Sequence, residues 1–134
     1  MTVRRITLNI PQTLRFFWLV GLAAVIVGSL APAHSPVIEL LGRAHLNDKF
    51  EHFTAYALLA ALPALERFRC GRFVPAVVFL FLLGGALELG QLLSPGRSCD
   101  WHDLLANSFG ILAGVASVRI LHRFALHAET NILR

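Results

Sequence analysis

One stretch of the chain carries ionisable and polar side chains at helical spacing. Asp48, His52 and Tyr56 recur every four positions, so on a helix they form one stripe, with Glu51 beside it. A buried carboxyl group close to an imidazole can exchange protons near neutral pH. Such a stripe would be costly facing lipid, so we expect it to meet polar partners from other parts of the chain.

Two later segments contain such partners. Glu88 and Gln91 are three positions apart, and Asp103 and Asn107 are four apart, so each pair shares a helix face. Glu88 lies roughly 7 to 8 Å below the predicted outer end of its helix, about five residues at 1.5 Å each. An acid at that depth needs a partner, and His52 is the partner that we expect.

The segment between these pairs adds a turn and a cation. Pro95 and Gly96 are a turn signal, and Arg97 and Asp100 follow it at the same predicted membrane level. A guanidinium suits both carboxylate and phosphate, so Arg97 either clamps its own loop or binds an anion. Further along, Gly110 and Gly114 form a GxxxG pattern on the Asp103 face, which permits close helix contact.

These segments predict a polar pocket in the outer leaflet. An alternative is that the same side chains only hold the bundle together, through interhelical hydrogen bonds worth about 0.6 to 2 kcal/mol each. No histidine or cysteine spacing is diagnostic of metal ligation, so we predict neither a metal nor a cofactor. The predicted pocket residues are Asp48, Lys49, His52, Tyr56, Glu88, Gln91, Arg97, Asp100, Asp103 and Asn107.

Hydrophobic helices must position these side chains. Of the 134 residues, 56% are hydrophobic and only 15% are charged, which is too apolar for a soluble domain. Four apolar runs approach the ~20 residues that cross ~30 Å of hydrocarbon. We predict one all-α domain over residues 1–134, a bundle of four transmembrane helices at about residues 16–31, 50–65, 74–93 and 104–121.

Two of these runs have alternative interpretations. The run 50–65 has a polar start and Pro63 near its end, so a re-entrant or partly interfacial helix stays open. The run 16–31 follows basic residues and ends in Ala31-Pro32-Ala33, which resembles a signal-peptide cleavage site. Cleavage there would leave three spanning helices. The same ends of these helices would still face the outside.

The distribution of cations predicts the orientation. By the positive-inside rule, the side with more Lys and Arg is cytoplasmic, which places both termini inside. The net charge of +4 does not indicate nucleic-acid binding, since the basic residues are not interleaved with aromatics on a polar surface. Nine arginines fall on one side (Arg4, Arg5, Arg15, Arg67, Arg69, Arg72, Arg119, Arg123, Arg134) and three cations on the other (Arg43, Lys49, Arg97).

The spacing of the polar residues resembles the VanZ-like membrane protein family. The resemblance covers about half of the chain, from Asp48 to Gly114. It implies a small multi-pass protein of the bacterial cell envelope, in the cytoplasmic membrane, related to one that confers low-level resistance to the lipoglycopeptide teicoplanin. It implies no reaction. The matching pattern is Asp48-Lys49-x-x-His52-x-x-x-Tyr56, Glu88-x-x-Gln91, and Pro95-Gly96-Arg97-x-x-Asp100-x-x-Asp103-x-x-x-Asn107-x-x-Gly110.

Three functions are compatible with this sequence. The leading hypothesis is a pocket for a lipid-like or lipidated envelope molecule, because cation, acids and amides lie beside hydrocarbon. A second is a membrane enzyme that acts on a lipid-linked substrate by acid-base or metal-assisted chemistry, with His52 and Glu88 as the proton-transfer pair. A third is a small transporter or scaffold that oligomerises through the GxxxG face. The predicted partner is the lipid bilayer, and the oligomeric state is left open.

Overall fold

The computed structural model describes residues 10–32, 35–36, 47–67, 73–96 and 98–132, and no strand occurs in these ranges. The prediction of an all-helical protein is confirmed for this part of the chain. Its helices are α1 (Ile10–Leu30), α2 (Asp48–Arg67), α3 (Val74–Gln91) and α4 (Trp101–Ile132).

Three of the helices are long and apolar enough to cross a membrane. The qualifying segments are Gln12–Leu30, Val74–Gln91 and Trp101–Ala125. Helix α2 has 20 residues, enough for a bilayer by length, but its first turns carry charged and polar side chains. A fourth spanning helix is therefore still a prediction, as is the orientation.

Helix α2 begins where the sequence supplies an N-terminal cap. The Asn47 side-chain oxygen accepts a hydrogen bond from the Lys49 backbone N–H at 3.0 Å. Asp48 and Glu51 place acids in the first turn, where the helix dipole favours negative charge. The polar start of α2 is thus a stable helix terminus.

Pro63 does not end α2. Proline has no N–H to donate to the carbonyl four residues earlier, which here belongs to Leu59. The Trp18 indole N–H of α1 donates to that carbonyl at 2.9 Å instead. Because α1 satisfies the freed acceptor, the helix continues through Pro63 to Arg67.

Contacts between helix ends define an up-down arrangement. Near the start of α1, Arg15 forms an ion pair with Glu66 at the end of α2. At the other end of α1, the Ser94 hydroxyl donates to the Leu30 carbonyl at 2.7 Å. Neighbours in sequence therefore run antiparallel, and the end of α3 meets the starts of α2 and α4.

Helices α2 and α4 form the closest pair. A side chain on Gly110 would overlap the Phe53 carbonyl, and one on Gly114 would overlap the Ala57 carbonyl. Small residues allow this approach of two backbones. Helix α2 of the same chain thus covers the GxxxG face. This face therefore does not support the hypothesis of a scaffold that oligomerises through it.

The bundle has apolar side chains on its outside as well as in its core. The buried hydrophobic cluster contains Leu22, Tyr56, Leu59, Ala60, Leu80 and Ile111. Large apolar side chains are exposed on every helix, Phe17, Leu58, Leu82 and Leu112 among them. Such a surface would aggregate in water but is suited to hydrocarbon. Polar side chains, Glu88, Gln91, Asp103 and Asn107 among them, are buried at one end of this apolar bundle.

Candidate functional site

The end of α3 and the starts of α2 and α4 bring most of the predicted pocket residues together. We call this set the polar cluster. Arg97, also predicted to belong to the pocket, lies outside the residues that the structure describes. The polar cluster comprises Asp48, Lys49, His52 and Tyr56 on α2, Glu88 and Gln91 on α3, Asp100 before α4, and Asp103 and Asn107 on α4.

Lys49 joins α2 to the start of α4. Its ammonium lies 2.9 Å from Asp100 Oδ2 and 3.3 Å from Asp103 Oδ1. Asp103 is buried, whereas the Lys49 side chain is 45% exposed. No role for Lys49 beyond the family pattern was predicted, because a lysine one position from the Asp48 stripe has no distinctive spacing.

Asp100 caps α4 and pairs with a histidine that sequence reasoning missed. Its Oδ1 accepts a hydrogen bond from the His102 backbone N–H at 2.9 Å and lies 2.7 Å from His102 Nδ1. The His102 backbone N–H and the Lys49 ammonium hold the pKa of the Asp100 carboxyl well below its usual range. The carboxylate therefore stays charged at mildly acidic pH. An aspartate two positions before a histidine, at a helix start, was the available signal.

His52 contacts Asn107 across the close α2–α4 interface. Its Nδ1 lies 2.9 Å from the Asn107 side-chain oxygen. An amide oxygen only accepts hydrogen bonds, so Nδ1 carries a hydrogen, and in the neutral ring Nε2 then holds the lone pair. Nε2 lies 3.9 Å from Asp48 Oδ1. The interface thus leaves one histidine nitrogen available as a base or ligand.

Glu88 is buried, with 3% of its surface exposed. Its Oε2 accepts a hydrogen bond from the Asp100 backbone N–H at 3.4 Å, a long contact that ties α3 to the start of α4. Glu88 and His52 are close enough to interact electrostatically, but their hydrogen bonds among the described residues go to the Asp100 backbone and to Asn107. The reason is that α2 turns His52 towards α4, to which it is closely packed. Gln91 is buried one turn beyond Glu88.

Tyr56 lies one turn deeper than His52 and is only 1% exposed. Its hydroxyl has no hydrogen-bond partner within the described part of the chain. A Cβ on Gly84 would lie 3.4 Å from this hydroxyl and 3.4 Å from Asn107 Nδ2, so the two groups occupy the same layer. A buried hydroxyl without a partner is unusual and needs an explanation.

Three polar-cluster residues have the chemistry and spacing of metal ligands. Asp48, His52 and Asp103 each offer one ligand atom, and these atoms lie within 4.8 Å of one another. Two carboxylates and one imidazole could hold a divalent cation.

A cavity of about 280 Å³ lies at the opposite end of the bundle. Its lining is mostly apolar, with Trp18, Leu62 and Pro63 among the contributing residues and the Arg15–Glu66 ion pair at its edge. At the polar cluster, the Asp48 and Lys49 side chains are the exposed members, so a ligand would reach the cluster through them.

An all-helical bundle with an apolar exterior and buried ionisable residues at one end defines a multi-pass membrane protein. The chain belongs to the VanZ-like family, since the family model described as VanZ/LLP1 matches residues 6–122. The match includes α1 and so extends beyond the motif segment. No curated protein and no solved structure matches the chain.

Proposed function

We propose that this protein binds the polar headgroup of a lipid-like or lipidated envelope molecule at the polar cluster. The observation that carries the proposal is the burial of ionisable side chains at one end of a bundle whose outer surface is apolar. Ionisable groups inside a membrane are costly and are usually retained for function. An amphiphile can contact the polar cluster with its headgroup and the apolar outer surface with its chains at the same time.

Lys49 supports headgroup binding through its position. An ammonium has three donors, and Asp100 and Asp103 are acceptors for two of them. The side chain is 45% exposed, so the third donor can reach an anionic or polar group. Arg97, three positions before Asp100, would add a guanidinium suited to phosphate or carboxylate.

Apolar side chains flank the polar cluster and would receive the acyl chain. Leu89, Leu92 and Leu93 are exposed around the end of α3, and Trp101 is exposed at the start of α4. Tryptophan is enriched at the level of lipid headgroups, which agrees with a bilayer surface at this position.

The proposal includes a topology. With α2 as a fourth spanning helix and both termini in the cytoplasm, the polar cluster lies in the outer leaflet of a bacterial cytoplasmic membrane. Support for α2 as a span is its 20-residue length, which covers ~30 Å at 1.5 Å per residue, and the burial of its Tyr56 and Leu59 face against neighbouring helices.

A membrane enzyme acting on a lipid-linked substrate is the second candidate. The His52 Nε2 lone pair, 3.9 Å from the Asp48 carboxylate, is the observation that favours it. The test is turnover of a purified lipid-linked precursor. Turnover by the wild-type protein that is lost in His52→Ala would favour this function over headgroup binding. The described residues contain no recognised nucleophile motif, so acid-base chemistry is the form that it would take.

The headgroup proposal is tested by removing charges from the polar cluster. We expect Glu88→Ala and Arg97→Ala each to weaken binding of the headgroup about tenfold, or ~1.4 kcal/mol, and so to reduce protection against teicoplanin or envelope stress. Arg15→Ala, which removes a cation at the opposite end of the bundle, should keep full protection. Membrane fractions are blotted for each variant to match protein levels. Unchanged sensitivity in both cluster variants contradicts the proposal.

A further inference from the structure

We propose that Asp48, His52 and Asp103 bind a divalent transition-metal ion. Their ligand atoms lie within 4.8 Å of one another, on the first turns of α2 and α4. Ligands at ~2.1 Å from a tetrahedral ion lie about 3.4 Å apart, so a small adjustment completes the site. Asp48 can make this adjustment, because its side chain is 58% exposed on the first turn of α2.

Asn107 sets His52 in the form that a metal requires. Metal-ligating histidines generally donate their other ring N–H to an oxygen, which fixes the tautomer and the orientation of the ring. Here Nδ1 donates to the Asn107 oxygen at 2.9 Å, which leaves Nε2 facing Asp48. His52 therefore needs no change of tautomer to bind a cation.

The charge balance of the polar cluster favours a cation. Its described residues include four carboxyl groups, which belong to Asp48, Glu88, Asp100 and Asp103, against the one ammonium of Lys49. Even if the positive charge of Arg97 is counted with that of Lys49, the carboxyl groups outnumber the cations. Lys49 lies closer to Asp100, at 2.9 Å, than to Asp103, at 3.3 Å. The Lys49 ammonium can thus stay paired with Asp100 while Asp103 binds the metal.

Tyr56 provides an independent indication of a bound species. Its hydroxyl is buried, is without a partner among the described residues, and shares a layer with the Asn107 amide. Three protein ligands leave at least one coordination position open for water or an anion. A water or anion at that open position that accepted a hydrogen bond from the Tyr56 hydroxyl would remove the cost of leaving it unpaired.

The ligand types indicate which ion binds. Imidazole favours zinc and other late transition metals, whereas sites for Mg²⁺ and Ca²⁺ are built from oxygens alone. The imidazole therefore favours Zn²⁺ over Mg²⁺, and the two carboxylates also suit Mn²⁺. This inference does not depend on the identity of the lipid-like ligand.

The full-length protein in lipid nanodiscs, stripped with a chelator, is titrated with ZnCl₂, MnCl₂ and MgCl₂ by calorimetry, and its metal content is measured by mass spectrometry. We expect about one Zn²⁺ or Mn²⁺ per chain, with Mg²⁺ at least ~10-fold weaker. Asp48→Asn and Asp103→Asn should each lower the affinity for Zn²⁺ by about 10-fold to 100-fold.

Glu51→Gln is the matched control, since Glu51 is an acid on the same first turn of α2 but outside the ligand set, and it should bind as the wild type does. If Asp103→Asn fails to fold, Asp48→Asn decides the question, because its side chain is 58% exposed and carries little packing. A wild-type protein that takes up no metal, or Asp48→Asn and Glu51→Gln proteins of equal affinity, overturns the proposal.

Discussion

Gly110→Ala is expected to destabilise the protein by about 2 to 3 kcal/mol, the range for overpacking at a site that cannot relax. A Cβ at this position would overlap the carbonyl of Phe53, which is backbone and cannot rotate away. Helices α2 and α4 would have to separate, and the contacts of Lys49 and His52 with α4 would be lost with them. Thermal unfolding in detergent, followed by circular dichroism, measures the effect.

Gly85→Ala is the matched control for this helix-packing effect. A Cβ there meets nothing within 4 Å, so the substitution should be neutral or stabilise α3 by about 0.5 to 1 kcal/mol, as expected for alanine in a helix. Gly114→Ala should resemble Gly110→Ala, because it meets the Ala57 carbonyl in the same way. Equal melting temperatures for Gly110→Ala and Gly85→Ala would refute the close α2–α4 contact.

Asn107→Leu is expected to cost about 1 to 3 kcal/mol of stability, the range for leaving a buried donor unpaired. Asn107 is 3% exposed, and its side-chain oxygen accepts the hydrogen bond from His52. Leucine keeps the branched shape of the side chain but removes this acceptor, and His52 loses the contact that sets its tautomer. We expect both the unfolding temperature and the envelope phenotype to fall.

Tyr56→Phe is the contrasting variant, since it removes a buried hydroxyl that has no partner among the described residues. Its stability should stay the same or increase, while the phenotype falls if the hydroxyl serves a bound ligand. The two variants therefore separate a structural hydrogen bond from a functional group. Equal stability of Asn107→Leu and wild-type proteins would show that the His52 contact does not hold α2 to α4.

Helical periodicity was sufficient to predict which side chains share a face. Asp103 and Asn107 lie on one face of α4, and both are buried, as an inward-facing pair should be. Periodicity cannot predict how one helix is rotated against the next, and this rotation decides the partners. The sequence analysis paired His52 with Glu88. In the structure the two interact electrostatically, but the hydrogen bond of His52 goes to Asn107, which the sequence did not predict.

The apolar runs predicted where the helices suit a bilayer. They predicted the helix ends less well. Helix α4 continues to Ile132, beyond the predicted end at residue 121. Polar residues such as His122 and Arg123 end the apolar run but are compatible with a helix in water or headgroups. Hydropathy reports the solvent around a helix, while backbone hydrogen bonding decides how far it extends.

Contacts made by the backbone were the least predictable features. The Trp18 indole donates to the Leu59 carbonyl, which Pro63 has left without its helical partner. The proline was visible in the sequence, but the helix that would supply the missing donor was not. The same holds for Lys49, whose role depends on how closely α4 begins beside α2.

The lipids retained by the purified protein test the headgroup site most directly. Wild-type, Glu88→Ala and Glu51→Gln proteins are extracted in polymer nanodiscs, and the bound lipids are quantified by mass spectrometry. We expect a lipid-like molecule with an anionic or polar headgroup to be enriched over the bulk membrane in the wild-type and Glu51→Gln samples, and to fall about tenfold in Glu88→Ala. Three samples that all match the bulk membrane would contradict a headgroup site at the polar cluster.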